Sequence, residues 1–418
     1  MKRWWQLGSL VPAIMIAAAL VNFGLCFKSL DWLAFRTWEA AAIVEHPSGI
    51  GPFEPGSIIL KEHAYGDLAG LGNMKDMREY RREEFRVDQF GFRNSHAEQA
   101  SNPVGFVVGD SFTVGAEVLD SETLPAQLTR DAGGYYYNAG GKVEGGLDSL
   151  ARAQAVSSIL HLSSGTLVYQ LLERSARRDP PAISQITEEH QSAPIDPRSI
   201  GEKIRTTLVT RAVNLFVSDH SPGIRLSRRL VKRPEDDLWL PNTGTKYVIR
   251  RRLQNGEEIL FYTEDLEPTG DINELASAWR SYITAFSGRM AERNITVIVL
   301  LVPNKYTVYG PLTDAHTRDS GGEQFLSGFE KELRAAGIPV LNLTPLFRTS
   351  AAQGLPRREY LYWRDDTHWN AQGIKLAADA LWSELQKGRI RNGNTEPAVA
   401  EGLTHSGIRR NRKLIKHN

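Results

Sequence analysis

The sequence predicts an α/β protein with a mainly parallel sheet and helices on both of its faces. Two runs of strand length, Val104–Val108 and Ile295–Val302, are almost entirely apolar, as expected of strands that are buried on both faces. Other short strands alternate along the chain with segments that have the apolar period of a helix. Strands connected through helices run in parallel, because the helix carries the chain back to the starting edge of the sheet.

The expected elements occur in two series, separated by an interruption. The first series comprises a strand at Val104–Val108, a helix around Thr123–Arg130, a strand at Tyr135–Tyr137, a helix at 147–160 and a strand at Thr166–Leu172. The second comprises a helix at Ile272–Met290, a strand at Ile295–Val302, a helix around Phe325–Leu333 ended by Gly337, a strand at Val340–Leu343 and a closing helix at Ile374–Leu385. No internal repeat accompanies this pattern.

This pattern divides the chain into four parts. Residues 1–29 are expected to be a cytoplasmic end with a membrane anchor, 30–100 an irregular region, 101–390 the α/β domain with an insertion at 177–268, and 391–418 a basic tail. Within the insertion, two short strands that flank Asn255-Gly256 predict a β-hairpin. The mixed-charge run Lys75–Arg86 is expected to be a solvated face.

Composition excludes several kinds of function. The 418 residues are 41% hydrophobic and 24% charged with a net charge of +1, so nothing indicates a nucleic-acid partner. The single cysteine, Cys26, excludes a disulfide within the chain and a cysteine-based metal site. We expect no metal or cofactor, and we expect the basic run Arg409–Lys416 to be a solvated end.

The N-terminus predicts the compartment. The basic and aromatic start, Lys2-Arg3-Trp4-Trp5, precedes an uncharged apolar stretch at Leu7–Phe27 that is long enough to span a bilayer. Positive charge on the short side predicts that the rest of the chain lies outside the cytoplasm. A cleaved signal peptide is the alternative, but Ala17-Ala18-Ala19 lies in mid-segment rather than at a cleavage site. Both interpretations place the domain in the periplasm or at the outer surface of a bacterium.

A serine follows the first predicted core strand. In Gly109-Asp110-Ser111 the glycine allows a tight turn, and Ser111 lies at the carboxyl edge of the sheet, where open α/β folds bind ligands. At a helix start it is also close to backbone N–H groups that can stabilise an oxyanion. The alternative is a serine that only caps the helix.

A histidine with nearby carboxylates precedes the last predicted helix. His368 follows Asp365 and Asp366 by three and two residues. A nucleophilic serine needs a base to take its proton, and the base needs a carboxylate to hold its tautomer. Either aspartate satisfies this requirement. The alternative is helix capping by Asp366 or Asn370, with His368 at the surface.

A third segment, Asn138-Ala139-Gly140-Gly141, follows the second strand. Glycines there allow backbone N–H groups to approach a substrate oxygen, although a simple turn is the alternative. Together the three segments supply a nucleophile, oxyanion donors and a base with its carboxylate. This set is sufficient for acyl transfer through a serine ester.

These three segments resemble the sequence blocks of the SGNH (GDSL-type) hydrolases, over roughly 100–175 and 270–385. The resemblance implies a three-layer SGNH-hydrolase-like sandwich, with Ser111 as nucleophile, the N–H groups of Ser111 and Gly140 in the oxyanion hole, and His368 as base. The family's Gly-x-Asn-Asp block is missing, and Gln170–Ser175 stands in its place. Asn138 is too early in the chain to match that block.

Two further segments resemble the AlgJ/AlgX type of polysaccharide O-acetyltransferases. They are Asp366–Asn370 and Val302–Tyr309. In that group the carboxylate precedes the histidine by two residues, which selects Asp366, whereas general SGNH spacing selects Asp365. The order of the motifs differs: in the alginate proteins the Asp-x-His element precedes the serine, and here it follows.

Four other side chains are candidates for substrate contact. Lys305 follows a strand end and can neutralise a substrate carboxylate or a developing charge, or else pair with Glu173. Glu173 and Arg174 follow the third strand, and Arg93 can reach the site from the N-terminal region.

Three functions are consistent with these residues. The first is an O-acetyltransferase that receives acetyl from a membrane-bound donor protein and passes it to a polysaccharide. The second is an esterase or deacetylase that uses water as the acceptor. The third is a non-catalytic polysaccharide-binding or assembly protein, against which the intact Ser, His and Asp set argues.

Overall fold

The computed structural model describes residues 37–38, 51–53, 55–95, 103–132, 134–141, 148–180, 246–267, 272–314 and 321–391. The expected anchor with Cys26, most of the insertion and the basic tail lie outside these described residues. Within them, no helix is both long and apolar enough to cross a bilayer.

The described elements follow the expected order closely. The strands are β1 (Ile58–Ala64), β2 (Arg81–Arg86), β3 (Pro103–Val108), β4 (Tyr135–Asn138), β5 (Gly165–Leu172), β6 (Val248–Arg252), β7 (Glu258–Tyr262), β8 (Ile295–Val302) and β9 (Val340–Asn342). The helices are α1 (Asp67–Leu71), α2 (Ser111–Val114), α3 (Leu124–Ala132), α4 (Asp148–Ile159), α5 (Glu173–Ala176), α6 (Ile272–Ala291), α7 (Lys305–Tyr309), α8 (Gly322–Ala335), α9 (Thr344–Gly354) and α10 (Ala371–Arg391).

Five strands form the central sheet in the order β4-β3-β5-β8-β9. All four neighbouring pairs are parallel, which confirms the predicted α/β class with a parallel sheet. The chain winds from β3 outward to β4 and then in the other direction through β5. Connections from β3 and β5 therefore leave in opposite directions, and a crevice opens between the carboxyl ends of these two strands.

Helices cover both faces of the sheet. Along β8, Val297, Val299 and Leu301 pack into one hydrophobic cluster with residues of α4, α6 and α8. The alternate residues Ile298 and Leu300 pack into a second cluster with residues of α3, α9 and α10. Because both faces of the strand are buried, its sequence is apolar throughout instead of alternating.

The predicted hairpin in the insertion is confirmed. Strands β6 and β7 pair antiparallel, with Arg252 opposite Glu258. Gly256 in the connecting turn has a φ of 86°, which a residue with a side chain rarely adopts.

The segment between residues 55 and 95 differs most from expectation. Strands β1 and β2 form an antiparallel hairpin there, and only one side of the charged run is solvated: Arg82 is exposed, whereas Arg81, Glu83 and Phe85 are buried. These three residues alternate along β2, so they share one face of the strand. The expectation was wrong because opposite charges from other segments compensate the buried ones. Helix α9 was also not expected, since few of its residues are strongly apolar.

Candidate active site

Ser111 begins α2 directly after β3. The Asp110 carboxylate accepts a hydrogen bond from the Phe112 N–H at 2.9 Å and caps this helix, which fixes the start of its first turn. Glycine is required at 109, because a Cβ there would lie 2.3 Å from both Gln170 Oε1 and Thr113 Oγ1. The tight turn therefore holds Ser111 at the crevice between β3 and β5.

His368 lies within hydrogen-bonding distance of the serine. Its Nε2 is 2.7 Å from Ser111 Oγ, and its Nδ1 is 2.6 Å from Asp366 Oδ1. The ring is buried and only 4% exposed, and it packs against Phe112 at a centroid distance of 4.9 Å. The three side chains form a continuous line in which the imidazole can take the serine proton while the carboxylate holds its other nitrogen.

The two adjacent aspartates contact different partners. Asp366 faces His368, and it also accepts the His368 backbone N–H at 2.7 Å. Asp365 instead accepts the N–H groups of Gly66 at 2.7 Å and Glu79 at 2.9 Å. The carboxylate that contacts the imidazole is therefore Asp366, and Asp365 anchors the N-terminal segment.

Residues of α1 and its start hold the His368 loop from the other side. The Asp67 N–H donates to Asp366 Oδ2 at 2.6 Å, and the Asp67 carboxylate accepts from the Thr367 N–H at 2.8 Å and from its hydroxyl at 2.7 Å. A Cβ at Gly66 would lie 2.1 Å from the Asp365 carbonyl oxygen. The two segments thus approach so closely that only glycine fits.

Arg81 supplies the positive charge behind these carboxylates. Its guanidinium lies 2.9 Å from Asp365, 3.7 Å from Asp366 and 3.4 Å from Glu117, and it stacks over the Trp363 ring at 4.2 Å. Sequence analysis missed this residue. The signal that identifies it is the alternation along β2, where Phe85 marks the face that turns inward.

The charge state of Asp366 follows from this environment. Burial alone would raise its pKa, but His368, Arg81 and the Asp67 N–H together hold the pKa of Asp366 well below its usual range. Burial raises the pKa of Asp365 despite the Arg81 charge. Asp366 therefore remains ionised and can stabilise the imidazolium that forms when His368 takes a proton.

The segment at 138–141 lies against α2, and its hydrogen bonds differ from expectation. The Gly140 N–H donates to Asn138 Oδ1 at 2.9 Å, so in this structure it is not directed at a substrate oxygen. A Cβ at 140 would lie 2.5 Å from the Val114 nitrogen, which explains the glycine by close packing. Asn138 is buried and shapes the turn, rather than offering its side chain to a ligand.

Lys305 also has a different position from the expected one. Its ammonium donates to the carbonyl oxygens of Arg364 and Asp366, both at 2.9 Å, and it does not pair with Glu173. Burial lowers the pKa of Lys305 to about 8, although the nearby aspartates oppose the shift. Lys305 therefore supports the backbone of the His368 loop from within the core.

Glu173 and Arg174 have separate environments. Glu173 is fully buried; it accepts the Asn304 N–H at 2.8 Å and the Thr307 hydroxyl at 3.0 Å, and it pairs with Arg177. These bonds tie the ends of β5 and β8 together, so the expected substrate contact of Glu173 is not met. The Arg174 guanidinium is partly exposed and binds Asp265 at 2.9 Å.

Arg93 does not reach the serine side chain. Its guanidinium is buried, pairs with Asp120 at 2.8 Å and donates to the carbonyl oxygens of Val114 at 3.2 Å and Val118 at 2.7 Å. These contacts fix the chain that follows α2. Arg93 therefore supports the helix that begins at Ser111.

One group of described residues has the spacing of a metal site, namely Asp67, Asp366 and His368, whose candidate ligand atoms lie within 4.8 Å of one another. Each already has a protein partner. Asp67 is bonded to Thr367, and Asp366 and His368 are bonded to each other. The donors are therefore arranged for hydrogen bonding.

The two aspartates can be distinguished by substitution. Asp366→Asn removes the negative charge of the carboxylate that contacts His368 Nδ1. We therefore expect kcat for a small acetyl ester to fall by about 10³-fold or more. Asp365→Asn leaves the His368 contact intact, so we expect kcat within about tenfold, with a free energy of unfolding lowered by about 3 kcal/mol. Steady-state kinetics and urea unfolding of both variants measure this. The reverse ranking of kcat would contradict the assignment.

The burial of Lys305 should change how the free energy of unfolding depends on pH. A lysine with a folded-state pKa of about 8 releases its proton earlier than in the unfolded chain. The unfolded state then binds more protons between pH 8 and about 10.4, so stability rises with pH there, by at most about 1.4 kcal/mol per unit. We expect the wild type to gain free energy of unfolding relative to Lys305→Met over this window. Urea unfolding at pH 7.5, 8.5 and 9.5 measures the difference in the free energy of unfolding between the two proteins. A difference that stays the same at all three pH values would contradict the lowered pKa of Lys305 in the folded state.

Comparison with known proteins identifies relatives of part of the chain. Residues 256–407 match a protein family described as the SGNH hydrolase-like domain of the acetyltransferase AlgX. The match includes Asp366 and His368 and begins after Ser111.

Two individual proteins are also similar to parts of this chain. A probable alginate O-acetylase AlgJ of Pseudomonas putida is 23% identical over 177 residues, which is 41% of this chain and 44% of that protein. The chain therefore spans less than half the length of this curated relative. A crystal structure of an acetyl xylan esterase, AlAXEase, aligns with 67% of this chain and 98% of its own, at 11% identity and a TM-score of 0.31. The family match and the AlgJ relative confirm the resemblance of this chain to SGNH hydrolases of the AlgJ/AlgX type.

Proposed function

We propose that this protein is a serine acyl-ester enzyme that carries an acetyl group on Ser111 and transfers it to a hydroxyl of a polysaccharide. The observation that carries the proposal is the line from Ser111 Oγ to His368 Nε2 at 2.7 Å and from His368 Nδ1 to Asp366 at 2.6 Å. The match to the AlgX domain family and the relative named as a probable alginate O-acetylase support acetyl as the acyl group and a polysaccharide as the acceptor.

The geometry supports a two-step reaction. Ser111 Oγ attacks the acetyl carbonyl carbon of the donor as its proton passes to His368 Nε2, and the leaving group departs with that proton. A sugar hydroxyl then gives its proton to His368 Nε2 and attacks the acetyl-serine carbonyl. Ser111 Oγ leaves and takes the proton back, so the enzyme returns to its starting state. Asp366 stays ionised throughout and stabilises the imidazolium in both steps.

Stabilisation of the oxyanion is assigned to the backbone at the start of α2. Ser111 is the first residue of the helix, so its N–H has no acceptor within the helix. This N–H adjoins the attacking oxygen and suits the negative charge that develops on the carbonyl. The Gly140 N–H is a poorer candidate, because Asn138 Oδ1 already accepts it.

We place the reaction outside the cytoplasm. The uncharged stretch Leu7–Phe27 after a basic N-terminal end supports an inner-membrane anchor with the catalytic domain in the periplasm. An acetyl donor on that side has to be supplied through the membrane. We therefore propose a membrane-bound donor protein as the partner.

Transfer and hydrolysis differ in the acceptor of the same acetyl-serine. We expect the chain from residue 31 onward, supplied with an activated acetyl ester and a polysaccharide, to place acetyl on sugar hydroxyls in preference to water. Acetate release and sugar-bound acetyl, quantified by NMR, measure the partition, and Ser111→Ala is the control that should abolish both. Acetate alone, at a rate unaffected by the sugar, would make the protein an esterase instead.

A further inference from the structure

A row of aromatic side chains lies beside the His368 loop, and we call it the aromatic ridge: His63, Tyr65, Tyr80 and Tyr262. Tyr80 is 59% exposed, which is unusual for so large an apolar ring. Its ring centroid lies 5.8 Å from that of Tyr65 and 6.2 Å from that of His63, both edge to face. The rings therefore form a cluster and are not scattered surface residues.

The ridge adjoins, along the chain, the residues that hold Asp365. Tyr65 immediately precedes Gly66, whose N–H binds Asp365. Tyr80 stands between Glu79 and Arg81, and both of these bind Asp365 as well. Tyr65 and Tyr80 are thus each next in sequence to a residue that bonds Asp365, and Asp366, the neighbour of Asp365, contacts His368.

The ridge continues past the hairpin toward the end of β5. Tyr65 and Tyr262 both pack against one small hydrophobic cluster, which is formed by Leu68, Ala69, Met77, Val248 and Leu260. The Arg174 guanidinium lies over the Tyr262 ring at 5.0 Å. Arg174 follows β5, which is adjacent to the strand that leads into Ser111. Tyr262 therefore contacts a residue that follows the strand paired with β3.

We propose that the aromatic ridge binds the polysaccharide chain and holds it while one of its hydroxyls reaches Ser111. This inference rests on the proposed function, because it names the surface that receives that function's acceptor. Tyrosine rings offer a flat apolar face with little conformational entropy to lose, which suits the C–H face of a pyranose ring. Polar groups beside the rings, namely Arg78 over Tyr65 at 4.2 Å and Glu264 on the Tyr262 hydroxyl at 2.9 Å, suit sugar hydroxyls.

Binding can be measured separately from chemistry. In a Ser111→Ala background, calorimetry with a deacetylated alginate oligosaccharide and with an uncharged β-glucan oligosaccharide of matched length gives the affinity. We expect Tyr80→Ala to weaken binding of the preferred oligosaccharide about tenfold, and Tyr80→Phe to restore it, because the ring face and not the hydroxyl makes the contact.

The matched control is Ile58→Ala. Ile58 is also 59% exposed but lies at the opposite end of the β1–β2 hairpin, so its loss should leave affinity unchanged. Failure of both oligosaccharides to bind the Ser111→Ala protein, or equal affinity with and without Tyr80→Ala, would overturn the proposal. Absence of turnover of the small ester by the wild type would overturn the proposed function alone, since binding is measured without it.

Discussion

Two adjacent carboxylates, buried side by side, determine how the active-site region is built. Asp365 and Asp366 are both fully buried, and such a pair is stable only if each charge is compensated and hydrogen-bonded. The two carboxylates have different partners. Asp365 takes Arg81 and two backbone N–H groups, whereas Asp366 takes His368 and the Asp67 N–H. Because of this division, one short loop both anchors the N-terminal segment and orients the His368 ring.

The parallel sheet supplies the other half of the arrangement. β3 and β5 are neighbours whose connections leave in opposite directions, so Ser111 and Arg174 follow the two strands whose carboxyl ends border the crevice. The end of β8 adds Lys305, which supports the backbone of the His368 loop from below. Each component comes from a distant part of the sequence. The carboxyl edge of the sheet is the feature that brings them together.

The sequence was informative where a local pattern determines the structure. Strand Ile295–Val302 matches β8, and the Asn255-Gly256 turn forms as expected, because apolar runs and turn residues act over a few positions. Ser111 and His368 were identified by motif, and their contact agrees with that expectation. The alternatives at Asp365 and Asp366 were not separable by spacing, since both are near enough to the histidine.

The remaining features depend on long-range compensation, which a single sequence does not display. A charged residue such as Arg81 in β2 is normally solvated, and it is buried here only because Asp365 and Glu117 come from elsewhere. Lys305, Glu173 and Arg93 were candidates for substrate contact by residue type. Each is instead held by protein partners. Residue type and closeness to a motif in the sequence were therefore not sufficient to identify side chains that contact a substrate.

The central claim is that Ser111 is the residue that becomes acylated. Incubation of the protein with an activated acetyl ester, followed by acid quenching and peptide mass spectrometry, tests it most directly. The account predicts an acetyl group on the peptide that contains Ser111, which is lost in Ser111→Ala and accumulates little in Asp366→Asn. An unmodified Ser111 peptide in an active enzyme, or acetylation at another residue with Ser111→Ala still active, would contradict it.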